Sequence, residues 1–180
     1  MYPGSFDPLT IAHLAIADKA VDEAALDRLD LALSRSALGK EGGAHLPLAD
    51  RVAAIERAAR ARPWLGVTVA DDQLISDIAR GYDAVVMGAD KWAQVVDLAF
   101  YGGSTEARDA ALARLPRVAV APRPPFEVPD GVVVLNVSHD ASSTAVREGR
   151  ADWMAPEALD FDRASGAWSD PERYDSWLRP

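Results

Sequence analysis

Hydrophobic and polar positions change their period several times along the chain. Apolar residues at helical spacing predict a helix over residues 11–25. Residues 29–34 alternate, which predicts a strand with Leu29, Leu31 and Leu33 on one face. Residues 50–62 return to a helical pattern, and Pro63 ends it because proline cannot continue a helix. The first third of the chain is therefore expected to fold as helix, strand and helix.

The rest of the chain continues this alternation. The predicted strands are residues 64–69, 83–87, 118–121 and 132–137, and the predicted helices are residues 72–80, 95–100 and 105–115. The unbroken apolar run at 84–87 is typical of a strand that is buried on both faces. We therefore expect a single α/β domain over residues 1–162, with a doubly wound, Rossmann-like parallel sheet and helices on both faces, followed by an acidic tail over 163–180.

The segment from Tyr2 to His13 is the richest in candidate chemistry. Its two prolines and Gly4 disfavour a helix before Thr10, which is the expected N-cap and places His13 in the first helical turn. The unpaired amides of a first turn form an anion site, and side chains three positions apart can face one ligand. Gly4 lets the backbone approach a phosphate closely. The alternative is an ordinary capped helix with His13 on the surface.

A second segment repeats this pattern near the other end. Ser142, Ser143 and Thr144 precede a predicted helix start, and Arg147 lies one turn further on. Hydroxyls, first-turn amides and a guanidinium fork suit a phosphate. The alternative is plain helix capping with a solvated arginine.

Composition limits the range of functions. The chain has 180 residues, a net charge of −9 and no cysteine. The acidic balance argues against a general nucleic-acid binder, and the absence of a long apolar run argues against membrane insertion. The lack of cysteine fits a reducing compartment, so we expect a cytoplasmic protein. Only three lysines occur, and Lys40 lies in a long loop of the kind that is often functional.

Both segments resemble the signatures of the nucleotidylyltransferase superfamily. The loop Gly4-Ser5-Phe6-Asp7-Pro8 leads into Thr10-Ile11-Ala12-His13, and Ala141-Ser142-Ser143-Thr144-Ala145-Val146-Arg147 forms the second signature. Alanine replaces the usual glycine at position 12 and the usual isoleucine at position 141. The strand before the first loop is also unusually short, since only Met1 and Tyr2 precede Pro3.

The resemblance implies transfer of the adenylyl group of ATP to a small phosphorylated acceptor, with release of pyrophosphate and with Mg²⁺ bound to ATP rather than to dedicated protein ligands. The catalytic residues implied are His13, Thr10, Lys40 and Arg147, and the nucleotide-binding residues are Gly4, Ser5, Phe6, Gly88, Asp90, Ser143 and Thr144. Trp92 is the candidate for stacking on a flat base of the acceptor, and the alternative, which its pattern favours slightly, is a tryptophan in the core or at an interface. For Lys40, the alternative is a mobile lysine that is exposed to solvent. Association with a second copy of the chain stays open.

The acceptor is inferred from smaller likenesses. Gly88-Ala89-Asp90 and Pro122-Arg123-Pro124 resemble the nicotinate and nicotinamide mononucleotide adenylyltransferases, which points to a pyridine mononucleotide. That branch usually has a tryptophan at the position of Leu98, where Phe100 and Tyr101 lie close by. Two alternatives stand beside it. The opening segment from Tyr2 to Thr10 resembles a phosphopantetheine adenylyltransferase, and the departures at Ala12, Ala141 and Leu98 allow a nucleotide-binding homologue with impaired catalysis.

Overall fold

Strands and helices alternate along the part of the chain that the computed structural model describes, which is residues 1–35, 46–137 and 139–179. The strands are β1 (Tyr2–Pro3), β2 (Leu29–Ser34), β3 (Leu65–Ala70), β4 (Ala84–Gly88), β5 (Arg117–Ala121) and β6 (Val133–Val134). The helices are α1 (Ile11–Glu23), α2 (Leu48–Arg60), α3 (Ile75–Ile78), α4 (Ala89–Val96), α5 (Thr105–Leu112), α6 (Ser143–Arg147), α7 (Pro156–Ser165) and α8 (Pro171–Trp177), with short 3₁₀ helices at Leu98–Tyr101 and Ala151–Trp153.

The strands form two parallel groups, β1-β2-β3 and β4-β5-β6, and Met1 joins them. Its nitrogen donates to the Ala84 carbonyl at 2.8 Å, and the Val86 amide donates to the Met1 carbonyl at 2.9 Å. The strand order is thus β3-β2-β1-β4-β5-β6, with the reversal between β1 and β4. This confirms the predicted doubly wound parallel sheet, in which ligands bind at the carboxyl ends of the strands beside the reversal.

Apolar side chains of the central strands alternate between two cores. Val86 packs in the core on one face of the sheet, whereas Val85 and Met87 pack in the core on the other. All three are completely buried. The unbroken apolar run therefore did indicate a strand covered on both faces, because helices lie against each side.

The structure corrects three predicted elements. The helix expected over residues 95–100 begins earlier, since α4 starts at Ala89 directly after β4 and only a 3₁₀ helix follows it. The helix expected over 72–80 contracts to α3, and the strand expected over 132–137 contracts to β6. β6 lies at the edge of the sheet, where its pairing with β5 covers Val133 and Val134. β1 has two residues but is central.

The last part of the chain packs against the sheet domain. Helix α7 contacts α2, and α8 contacts α7. Phe161, Tyr174 and Leu46 are buried together in a small third core that Trp168 covers. None of the helices within the described residues is both long and apolar enough to cross a membrane.

Candidate active site

A cleft of about 320 Å³ opens at the carboxyl ends of β1, β4 and β5, where the strand order reverses. It collects residues from both ends of the chain. Eight of the residues predicted from the sequence line it, namely Gly4, Ser5, His13, Gly88, Asp90, Ser143, Thr144 and Arg147. The fold therefore brings the two signature segments to one place.

Three predicted residues do not line the cleft, and a fourth cannot be placed. Thr10 and Phe6 are buried below the loop. Trp92 packs against the core that contains Val85 and Met87 and does not line the cleft, so its position corresponds to the core alternative. Lys40 lies outside the described residues.

Thr10 and His13 are held together at the start of α1. The His13 amide donates to the Thr10 hydroxyl at 3.3 Å, and the Thr10 amide donates to Nδ1 of His13 at 3.0 Å, which completes a reciprocal cap. Because Nδ1 accepts this bond, the neutral imidazole carries its proton on Nε2. Thr10 is thus the predicted N-cap, and its buried hydroxyl orients His13 instead of facing a ligand.

Phe6 explains why position 4 is glycine. Its ring packs edge-on against His13, with 5.0 Å between ring centroids, and it is 1% exposed. A Cβ on Gly4 would lie 2.7 Å from Cζ of Phe6. The glycine therefore makes room for this ring beneath the loop, which is a different reason from the close phosphate approach that the sequence suggested.

The second signature is anchored to the first by hydrogen bonds. Ser142 caps α6, while the Ser143 hydroxyl donates to the Pro8 carbonyl at 2.8 Å. Arg147 lies one turn further on, and its Nη1 donates to the carbonyl of Asp7. The guanidinium is therefore fixed at the cleft wall with part of its donor set already used.

Asp90 and Arg123 face each other within the cleft, where Oδ2 and Nε are 3.8 Å apart. A Cβ on Gly88 would lie 2.4 Å from Oδ1 of Asp90, so the glycine lets this carboxylate fold back over the start of α4. Burial raises the pKa of Tyr2, and Asp90 raises it further while Arg123 opposes it. Tyr2 consequently keeps its proton at neutral pH.

Basic side chains outnumber acidic ones in the cleft of this acidic protein. Lys91, Arg123 and His139 join His13 and Arg147 there, and Asp90 is the one carboxylate among the cleft residues that the structure describes. The sequence-based site omitted these three. Lys91 and Arg123 each follow the end of a buried strand, and this position was the available signal. Within the described residues, no group of three or more His, Asp or Glu side chains is arranged to hold a metal ion.

A model of a known protein family matches most of the chain that forms this cleft. The cytidylyltransferase-like model matches residues 1–149, which include both signature segments and all six strands. The chain belongs to the cytidylyltransferase-like family. No curated protein matches it. Membership of this family supports nucleotidyl transfer as the general activity.

A second cavity adjoins the cleft of this cytidylyltransferase-like domain. It measures about 100 Å³, and Gly4, Ser5, Lys91 and Gln94 are among the residues that line both. Its other walls are mostly apolar and include Leu74, Ile75, Ile78, Val95, Phe100 and Tyr101. A ligand with a charged part and an apolar part can therefore span the two cavities.

Arg51 from α2 lines this second cavity and supports the first loop. Its Nη1 donates to the Ser5 carbonyl at 2.9 Å and its Nε to the Leu46 carbonyl at 3.0 Å. Burial lowers the pKa of Arg51, and the Asp7 carboxylate opposes that shift. The residue is thus a half-buried cation tied to the backbone of the loop.

Proposed function

We propose that the protein transfers the adenylyl group of ATP, bound as its Mg²⁺ complex, to a small phosphorylated acceptor and releases pyrophosphate. The observation that carries the proposal is the convergence of both signature segments on one basic cleft at the switch point of the sheet. A cleft of this kind neutralises and orients a polyphosphate, which is most of what phosphoryl transfer requires.

In this proposal, a phosphate oxygen of the acceptor bonds to the α-phosphorus of ATP. The bond from that phosphorus to the bridging oxygen breaks, and pyrophosphate leaves with the electron pair. His13 donates from Nε2 to the α-phosphate, while Arg147 and Lys91 neutralise the charge that moves onto the leaving group. The amides at the start of α1 add partial positive charge beside them.

A pyridine mononucleotide is the acceptor that we favour. Phe100 and Tyr101 line the apolar cavity beside the loop, so an aromatic ring placed there would meet aromatic side chains although the usual tryptophan is absent. Its phosphate would then lie toward the loop of Gly4 and Ser5, which line both cavities. Such a reaction belongs to NAD biosynthesis, which suits the cytoplasmic location expected from the sequence.

Pyrophosphate release is the decisive measurement. Wild-type protein is assayed with Mg-ATP and with Mg-CTP against nicotinate mononucleotide, nicotinamide mononucleotide and phosphopantetheine. We expect turnover with ATP and one pyridine mononucleotide. Turnover with CTP would overturn the choice of nucleotide, and turnover with phosphopantetheine would overturn the choice of acceptor.

Arg147→Lys and Arg150→Lys form a matched pair for this assay. Arg150 lies three residues beyond Arg147, but it does not line the cleft and pairs with Asp152 at 3.0 Å. We expect Arg147→Lys to lower kcat/KM by about tenfold or more, because lysine lacks the guanidinium fork. Arg150→Lys should change it less than about twofold. Binding of ATP by calorimetry without any turnover would favour the impaired homologue.

A further inference from the structure

The side chain of Asp7 is held by a residue from the far end of the chain. The indole Nε1 of Trp168 donates to Oδ1 of Asp7 at 2.7 Å. Asp7 is only 1% exposed, so this hydrogen bond is made away from water, where a lost partner is costly. Trp168 also lies beyond residues 1–149, which the family model matches. The contact therefore joins the matched part of the chain to a residue outside it.

Asp7 follows a strained residue. Phe6 has a φ of 46°, a left-handed conformation that is unfavourable for a side chain of this size. Such strain costs on the order of 1–3 kcal/mol and persists only where surrounding contacts enforce it. The neighbours of Phe6 supply those contacts, because Arg51 holds the Ser5 carbonyl and Arg147 holds the Asp7 carbonyl. Trp168 adds the hold on the Asp7 side chain.

The position of Trp168 is itself fixed by hydrogen bonds in the turn that follows α7. The buried carboxylate of Asp162 accepts hydrogen bonds from the amides of Trp168 at 2.7 Å and Ser169 at 3.0 Å. The indole packs edge-on against Phe161, with ring centroids 5.9 Å apart. Gly166, with a φ of 80°, allows the chain to reverse at the end of α7. The donor N–H is consequently presented to Asp7 by a rigid support.

We propose that Trp168 is a positioning residue of the active site, which keeps the segment from Gly4 to Pro8 in the shape that binds the phosphates of ATP. The expected effect on kcat and KM rests on the proposed function, whereas the expected effect on the loop does not. Trp168 does not line the cleft and acts through Asp7. The C-terminal segment thereby becomes part of the catalytic unit.

Trp168→Phe tests this proposal, since it removes the indole donor and keeps an aromatic ring against Phe161. The matched control is Trp177→Phe, because Trp177 also packs edge-on against Phe161, at 5.5 Å, but is about half exposed, and the indole that donates to Asp7 is that of Trp168. Hydrogen exchange at the amides of residues 4–7 is measured in both variants, together with kcat and KM for ATP and the melting temperature.

We expect Trp168→Phe to raise exchange at these amides by about tenfold, which corresponds to about 1.4 kcal/mol of local opening. KM for ATP should rise and kcat should fall, by severalfold each. Trp177→Phe should leave amide exchange, KM and kcat near their wild-type values. Unchanged exchange in Trp168→Phe, or an equal change in the control, would overturn the proposal. If wild type shows no turnover, the proposed function fails, and the exchange comparison still decides whether Trp168 positions the loop.

Discussion

The hydroxyl of Ser143 donates a hydrogen bond of 2.8 Å to the carbonyl oxygen of Pro8, across 135 positions of sequence. This bond joins the helix of the second signature to the loop of the first. Since both segments line or support one cleft, the distance between the side chains that they present there depends on it.

Replacing Ser143 by alanine should therefore affect both stability and activity. We expect a loss of about 1 kcal/mol of unfolding free energy and a fall of about tenfold in kcat/KM, because the loop and α6 separate slightly. Ser104→Ala is the control, since Ser104 caps α5 on the surface and its loss also costs about 1 kcal/mol. Equal activity in the two variants would show that the Ser143 contact is only structural.

His13 and Thr10 should differ in kinetics although they form one cap. His13→Ala removes the Nε2 donor, so we expect kcat to fall by about 100-fold or more. Thr10→Ala removes a buried hydroxyl that orients His13, so it should lower unfolding free energy by about 1–2 kcal/mol and reduce kcat much less. Pyrophosphate release and thermal unfolding measure the two effects. A larger kinetic loss in Thr10→Ala than in His13→Ala would contradict this assignment.

A methyl group at position 4 should disturb the ring below it. Gly4→Ala places a Cβ 2.7 Å from Cζ of Phe6, and we expect a loss of about 1–3 kcal/mol from overpacking. Phe6→Leu in the same chain removes the opposing ring atoms. The double variant should therefore recover part of the stability lost in Gly4→Ala, as measured by a double-mutant cycle in urea. Strict additivity would mean that the clash is relieved elsewhere.

Tyr174 should make the stabilisation that the C-terminal helix α8 provides depend on pH. Its hydroxyl donates to the carboxylate of Asp50, and it is 7% exposed. Burial raises the pKa of Tyr174, and the bond to Asp50 raises it further. The folded protein therefore keeps this proton above about pH 10, where the unfolded chain loses it.

The stabilisation from Tyr174 is thus complete below about pH 10 and is lost as the pH rises through the raised pKa. Tyr174→Phe should lower unfolding free energy by about 1–2 kcal/mol at pH 8. The difference from wild type should shrink above about pH 10. Urea titrations at pH 7, 8, 9, 10 and 11 measure this difference, and a gap that widens with pH would contradict the assignment.

The sheet was predictable because burial imposes local patterns on the sequence. The alternating leucines of β2 indicate one buried face, and the unbroken apolar run of β4 indicates burial on both faces. The start of α1 was predictable for a similar reason, since Thr10 is a strong capping residue. Gly88 caps α4 without a side-chain hydrogen bond, so this helix gave no comparable signal and was placed too late.

The site was predictable only where the chemistry lies inside a motif. His13, Ser143 and Arg147 belong to contiguous segments, and their roles in the reaction stay predictions. Trp168 meets Asp7 through tertiary packing, which no local pattern encodes. The position of Trp92 was likewise decided by packing, because an aromatic side chain after a strand can turn toward the core or toward a ligand.

The contacts around Phe6 and Asp7 cannot all form at the same time during synthesis of the chain. The loop leaves the ribosome first, whereas Trp168 is added 161 positions after Asp7. At about 5–20 residues per second, that interval is roughly 8–30 seconds. During that time the signature loop of a nascent chain lacks the hydrogen bond from Trp168 to Asp7, and the loop acquires all of its described contacts only after the C-terminal segment has been made.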